Sequence, residues 1–195
     1  MRAASLRRAR WLVRARATGA PADMQTWLNS AGSLTARLIA HSATFRVQRL
    51  HQRGALCLAD EAAALGLARP GRVWEREVLL RCDGKPVVFA HTVVPSTSTA
   101  SDWPLFSALG EKSLGSTLFY DPRVVRGSLE FARIRAGHPL MQRARAALGG
   151  DLGPAAVYYA RRCLYRRRQG LLLVTEVFLP AVLQLTAATT IKNAT

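Results

Sequence analysis

The stretch "RVWEREVLLRCDGKPVVFAHTVVP", residues 72–95, constrains the fold more than any other part of the chain. Two strand-like runs flank Asp83-Gly84, a pair suited to the positive φ angles of a tight two-residue turn. Strands joined this way are antiparallel. A second hairpin is expected where "AVYYARRCLYRRR" (156–168) and "LLLVTEVFL" (171–179) surround Gln169-Gly170. Alternation in "TFRVQRLH" (44–51) and "RVVRGSLEFARI" (123–134) adds further strands, about six in all.

Helical spacing fills the gaps. "PADMQTWLNSAGSLTARLIAHS" (21–42) predicts two short helices, the second capped by Ser33 and carrying Leu34, Leu38 and Ile39 on one side. "WPLFSALGEKSLGSTLFY" (103–120) predicts two more, interrupted at Gly110 and Gly115, and "HPLMQRARAALGG" (138–150) one that closes at Gly149-Gly150. The expected class is α+β: a single antiparallel sheet with helices packed over it and an enclosed ligand site. At 195 residues the chain fits one domain. Its expected limits are a basic, flexible segment over 1–20, the folded domain over 21–182 and a tail over 183–195.

Side-chain parity on the strands locates the candidate chemistry. In "REVLLRC" the period of two puts Arg76 with Val78, Leu80 and Cys82. In "LLLVTEVFL" it puts Glu176 with Leu172, Val174 and Phe178. A guanidinium and a carboxylate are both aimed at apolar company. They form either a buried Arg76–Glu176 ion pair of structural role, or two ends of a cavity in which Arg76 clamps a carboxylate and Glu176 meets a polar group. "GSLT" and "KSLG" each set a Ser at an N-cap, so the amides of Leu34 and Leu114 fall among the unsatisfied N–H groups that can bind an anion. Ordinary capping accounts for these serines equally well.

Charge and motifs exclude other classes. The chain carries 28 Lys+Arg against 12 Asp+Glu, +16 in all, yet the arginines are spread along it and not gathered on a recognisable nucleic-acid module. No specific nucleic-acid partner is expected. Such a field draws in a small dianion. Cys57, Cys82 and Cys163 show neither disulfide nor metal spacing and suit a reducing compartment, the cytoplasm. No apolar run is long enough for a spanning helix. There is no dinucleotide or P-loop glycine pattern, no HExxH and no GxSxG, and His41, His51, His91 and His138 lack ligand spacing. Metal or activated-nucleophile chemistry has no support.

"WEREVLLRCDGKPVVFAHTVVP", "ALGEKSLGSTLF", "SLEFARI" and "LLLVTEVFLP", in this order and spacing, resemble the chorismate pyruvate-lyase family over residues 24–182. The resemblance implies a sheet with helices over one side and a ligand enclosed between them. It implies a cofactor-free lyase that converts chorismate to 4-hydroxybenzoate and pyruvate, the first committed step of ubiquinone biosynthesis, and a monomer. It implies that Arg76 and the amides of Leu34 and Leu114 hold the ring carboxylate, and that Glu176 faces the oxygen that becomes the phenol. Arg76 and Glu176 are its catalytic pair. The family often has Met where Leu34 stands, and the segment 136–159 is longer here than in its shortest members. The alternative is a non-catalytic domain that binds an aromatic carboxylate, because ligand-sensing domains of some transcription regulators share a similar sheet.

Overall fold

The computed structural model describes residues 8–30, 32–98, 102–106, 108–150, 152 and 157–185. Its strands are β1 (Phe45–Leu56), β2 (Arg72–Cys82), β3 (Lys85–Pro95), β4 (Val124–Arg135), β5 (Val157–Arg167) and β6 (Gly170–Phe178). They form one antiparallel sheet in the order β1-β2-β3-β6-β5-β4. The helices are α1 (Ala22–Leu28), α2 (Leu34–Ala40), α3 (Ala59–Ala64), α4 (Leu114–Tyr120) and α5 (Pro139–Ala147), with single 3-10 turns at Ala15–Thr18, Pro104–Phe106 and Pro180–Gln184. The class is α+β, as the alternation predicts.

Both hairpins form. Asp83 (φ 50°) and Gly84 (φ 76°) make the first turn, as their residue types demand. The second differs by one residue: Arg168 (φ 54°) and Gln169 turn the chain, and Gly170 already belongs to β6, opposite Arg167. Gly170 is small for another reason, because a Cβ there would collide with the side chain of Asp102.

Helices cover both faces of the sheet, not the one side implied by resemblance. Over one face, Met24, Trp27, Leu28, Leu34 and Leu38 from α1 and α2 pack on Val78, Leu80, Ala90 and Phe178. Beneath the other, Leu140, Met141 and Ala144 of α5 pack on Leu79, Phe89, Ile134 and Val177, while Ala62 of α3 meets Val73, Val93 and Leu173. The near-continuous apolar run "VVFAHTVV" in β3 requires this, since a strand hydrophobic on both faces must be covered on both.

Other differences are local. β1 runs on to Leu56 through a register shift between Arg49 and His51, beyond the alternating stretch. Ile39 is 52% exposed, so only Leu34 and Leu38 of the expected trio reach the core. α3 went unforeseen; Glu61 accepts from the amide of Leu58 at 2.7 Å and closes its first turn. The basic N-terminal segment, expected to be flexible, is packed in its described part: Leu12 pairs with Phe131, the Trp11 indole donates to Asp60 at 3.0 Å, and Ala15 and Thr18 are buried. Single tertiary contacts of this kind leave no periodic trace in sequence. Of the expected C-terminal tail, residues 186–195 lie outside the described residues.

Candidate active site

Between the sheet and helices α2 and α4 lies a cavity of about 650 Å³, a figure that includes open space at its mouth. Leu34, Arg76, Leu114 and Glu176 all line it. Its floor is the sheet face that parity selected, with Val78, Leu80, Ala90, Thr92 and Val174, and its roof is made by the first turns of α2 and α4. Those turns abut: Thr35 Oγ1 lies 2.6 Å from Ser113 Oγ. Gly115 permits the approach, since a Cβ there would stand 3.2 Å from Thr35 Oγ1. Ser33 accepts from the amide of Ala36 and leaves the amide of Leu34, first residue of α2, among those with no intrahelical partner.

Arg76 is 2% exposed. Its Nη2 donates to the carbonyls of Gly110 (3.0 Å) and Lys112 (2.9 Å), which fixes the plane of the guanidinium. Its Nε is fully buried with no acceptor among the described residues. Burial, with the charge of Arg49 nearby, pulls its pKa down to about 10, so it stays cationic at neutral pH. A buried cation with an orphaned donor is unfavourable until an anion arrives.

Glu176 is not the partner of Arg76, which disposes of the structural ion pair considered from sequence. Its Oε2 accepts from Arg161 Nε at 2.6 Å. Arg161, 3% exposed, is the direct cross-strand neighbour of Glu176 and donates through Nη1 to the carbonyls of Ser30 (2.7 Å) and Leu28 (3.4 Å). Sequence reasoning missed it as a site residue. The signal lay in the register of the second hairpin: a turn centred on Gln169-Gly170 would set Cys163 opposite Glu176, whereas the observed turn sets Arg161 there.

Arg126, beside Tyr165 and Cys163, also lines the cavity. Burial raises the pKa of both Tyr165 and Cys163, which keeps them neutral. Three guanidiniums against one carboxylate leave the lining with two positive charges.

On the opposite face, His51, Glu75 and Glu77 bring donor atoms within 4.8 Å of one another, a spacing a metal ion could use. Arg143 Nη1 already lies 2.7 Å from Glu75 and 2.8 Å from Glu77, so a cation is supplied from within. Among the described residues, no helix is long and apolar enough to cross a membrane.

Comparison with known proteins agrees with this architecture. Residues 5–187 match the family model described as chorismate lyase, a span that reaches past both ends of the resemblance read from motifs. A protein of Ralstonia nicotianae named probable chorismate pyruvate-lyase is 54% identical over 157 residues, covering 80% of each chain. One of Aromatoleum aromaticum with the same name is 44% identical over 175 residues, covering 90% of this chain and 94% of that one. Among solved structures, the PhnF C-terminal domain (TM-score 0.54, 15% identity, 78% of this chain and 93% of that one) shares the fold. So does a GntR-family transcriptional regulator from Bacillus cereus (TM-score 0.53, 13% identity, 75% and 99%). Because the sequence match runs through every strand and helix that builds the cavity, the chain belongs to the chorismate lyase family.

Proposed function

We propose that this protein is a chorismate pyruvate-lyase, which converts chorismate to 4-hydroxybenzoate and pyruvate without a cofactor, at the start of ubiquinone biosynthesis. The observation that carries the reading is Arg76: a buried guanidinium with an orphaned donor, in one cavity with Glu176. Arg76 and the amides of Leu34 and Leu114 hold the ring carboxylate, and Glu176 accepts a hydrogen bond from the ring hydroxyl. Arg161 Nε donates to Oε2, which supports an acceptor role for Glu176 over that of a proton donor.

The chemistry needs no proton from the protein in this arrangement. The bond between ring carbon 3 and the ether oxygen breaks, and the hydrogen on carbon 4 moves to the side-chain methylene, which becomes the methyl group of pyruvate. The ring becomes aromatic and keeps its oxygen as a phenol. The protein's part is to hold one conformer and to place fixed dipoles and charges around it in a site shielded from water.

The deciding experiment incubates purified protein with chorismate and follows pyruvate by a coupled assay together with the absorbance of 4-hydroxybenzoate. Equal release of both products is expected. Stoichiometric binding without turnover would move the protein to the class of ligand-binding domains whose fold it shares. The three buried free cysteines accord with a cytoplasmic location, and the expected monomer is checked by light scattering.

A further inference from the structure

We propose that Arg161 receives the second carboxylate of the substrate, the one on the departing three-carbon side chain. The inference rests on the lyase reading above. In chorismate the ether oxygen sits on the ring carbon next to the one bearing the hydroxyl. With the ring carboxylate at Arg76 and the hydroxyl at Glu176, the side chain therefore leaves the ring beside Glu176.

Arg161 is the cation at that place. Its Nε is held by Glu176 and its Nη1 by the carbonyls of Ser30 and Leu28, so the guanidinium is pinned along two of its three nitrogens. Nη2 has no protein acceptor among the described residues, in a side chain that is 3% exposed and lines the cavity. Arg126 is the only other candidate among the lining residues. Its backbone stands opposite Tyr165, which pairs with Leu172, four residues from Glu176 along β6, and its guanidinium is engaged by Tyr165 and Cys163, whereas Arg161 touches Glu176 directly. The charge of the lining agrees: two net positive charges suit a dianionic substrate, and departure of pyruvate removes one carboxylate from the ligand. Arg161 thus distinguishes substrate from retained product. Arg76 binds both.

The test compares two ligands of nearly the same shape, 3-(carboxymethoxy)-4-hydroxybenzoate and its neutral side-chain amide, by titration calorimetry on the full chain. The wild-type protein should prefer the acid by about tenfold or more, the range of a charge-assisted hydrogen bond in a buried site. Arg161→Gln should abolish the preference while 4-hydroxybenzoate affinity falls far less, and Arg126→Gln should keep it. Equal affinity for acid and amide in the wild type would overturn the proposal. So would a preference lost in Arg126→Gln but kept in Arg161→Gln, or an equal loss for acid and 4-hydroxybenzoate, which would mark Arg161 as support for Glu176 alone. If Arg161→Gln does not fold, the wild-type ratio decides, together with Arg161→Lys, which keeps charge and loses the planar fork. A protein that prefers the acid but does not turn over chorismate would sink the lyase reading and leave this one standing; turnover without preference would do the reverse.

Discussion

The two faces of the sheet solve the same electrostatic problem in opposite ways. Beneath it, Glu61, His91, Glu77, Arg143 and Glu75 form a chain of buried charges in which acids and bases alternate: Glu61 to His91 at 3.0 Å, His91 to Glu77 at 3.1 Å, and Arg143 bridging Glu77 and Glu75. Above it, Arg76 has no acid partner among the described residues and Arg161 shares its charge with Glu176. The lower face pairs its charges within the fold and ties α3 and α5 to the strands. The upper face keeps an excess of positive charge. A fold that buries charge for stability completes its pairs; one that buries charge for binding leaves a pair to be completed by the ligand.

Arg76→Ala offers the sharpest way to break this contrast. It should lower kcat/KM on the order of 10³-fold and weaken 4-hydroxybenzoate to a similar degree, while the melting temperature holds or rises, because an unpaired buried cation is removed. Retained tight product binding, measured by calorimetry, would contradict the clamp. On the lower face His91→Leu should do the opposite: a loss of about 3–5 kcal/mol in urea unfolding as Glu61 loses its basic partner and Glu77 one of its partners, with kcat per folded molecule preserved. A kinetic defect without destabilisation would erase the distinction between the faces.

Glu176→Gln keeps an acceptor for Arg161 and removes the charge near the ring hydroxyl. Turnover should fall on the order of 10–100-fold with little change in melting temperature. The lower face also sets a pH dependence. Despite burial, Glu61 and Glu77 hold His91 up at about 9 against an ordinary 6.5, so its share of stability is complete below pH 6.5 and lost as pH rises through 9. Against the cost of burial, His91 and Arg143 hold Glu77 down at about 2 against 4.5, so its share is complete above pH 4.5 and lost as pH falls through 2. Thermal melts should therefore peak near pH 4.5–6.5 and drop by on the order of 1–3 kcal/mol by pH 9. A flat profile in the wild type, or an undiminished slope in His91→Leu, would contradict the assignment. The smallest effect is expected from Ser33→Ala, about 1 kcal/mol from the lost cap, with a modest rise in KM as the amide of Leu34 loosens.

How far the site was legible follows from which physical signals are local. Arg76 and Glu176 could be placed on one face because parity survives small errors in a turn: a hairpin centre moved by one residue shifts the register by two and leaves every side chain on its face. The identity of the cross-strand partner does not survive it. Arg161 was hidden for this reason, behind the Gly170 that looked like a turn residue and is instead kept small by Asp102. The packing of Trp11 on Asp60 and Arg162 was equally hidden, because a single aromatic in a basic stretch has no period to betray it.

Alternation and turn chemistry, both properties of neighbouring residues, were enough to determine the antiparallel sheet, its two tight hairpins and the face that carries Arg76 and Glu176. The motifs determined the family. Tertiary structure alone decided that Glu176 pairs with Arg161 and not with Arg76, that helices cover both faces, and that α2 and α4 meet above the cavity through Thr35 and Ser113. Those outcomes depend on register, on the crossing of segments far apart in the chain, and on how buried charges are shared among several partners. Each is a sum over the whole fold, and no short window of sequence contains it.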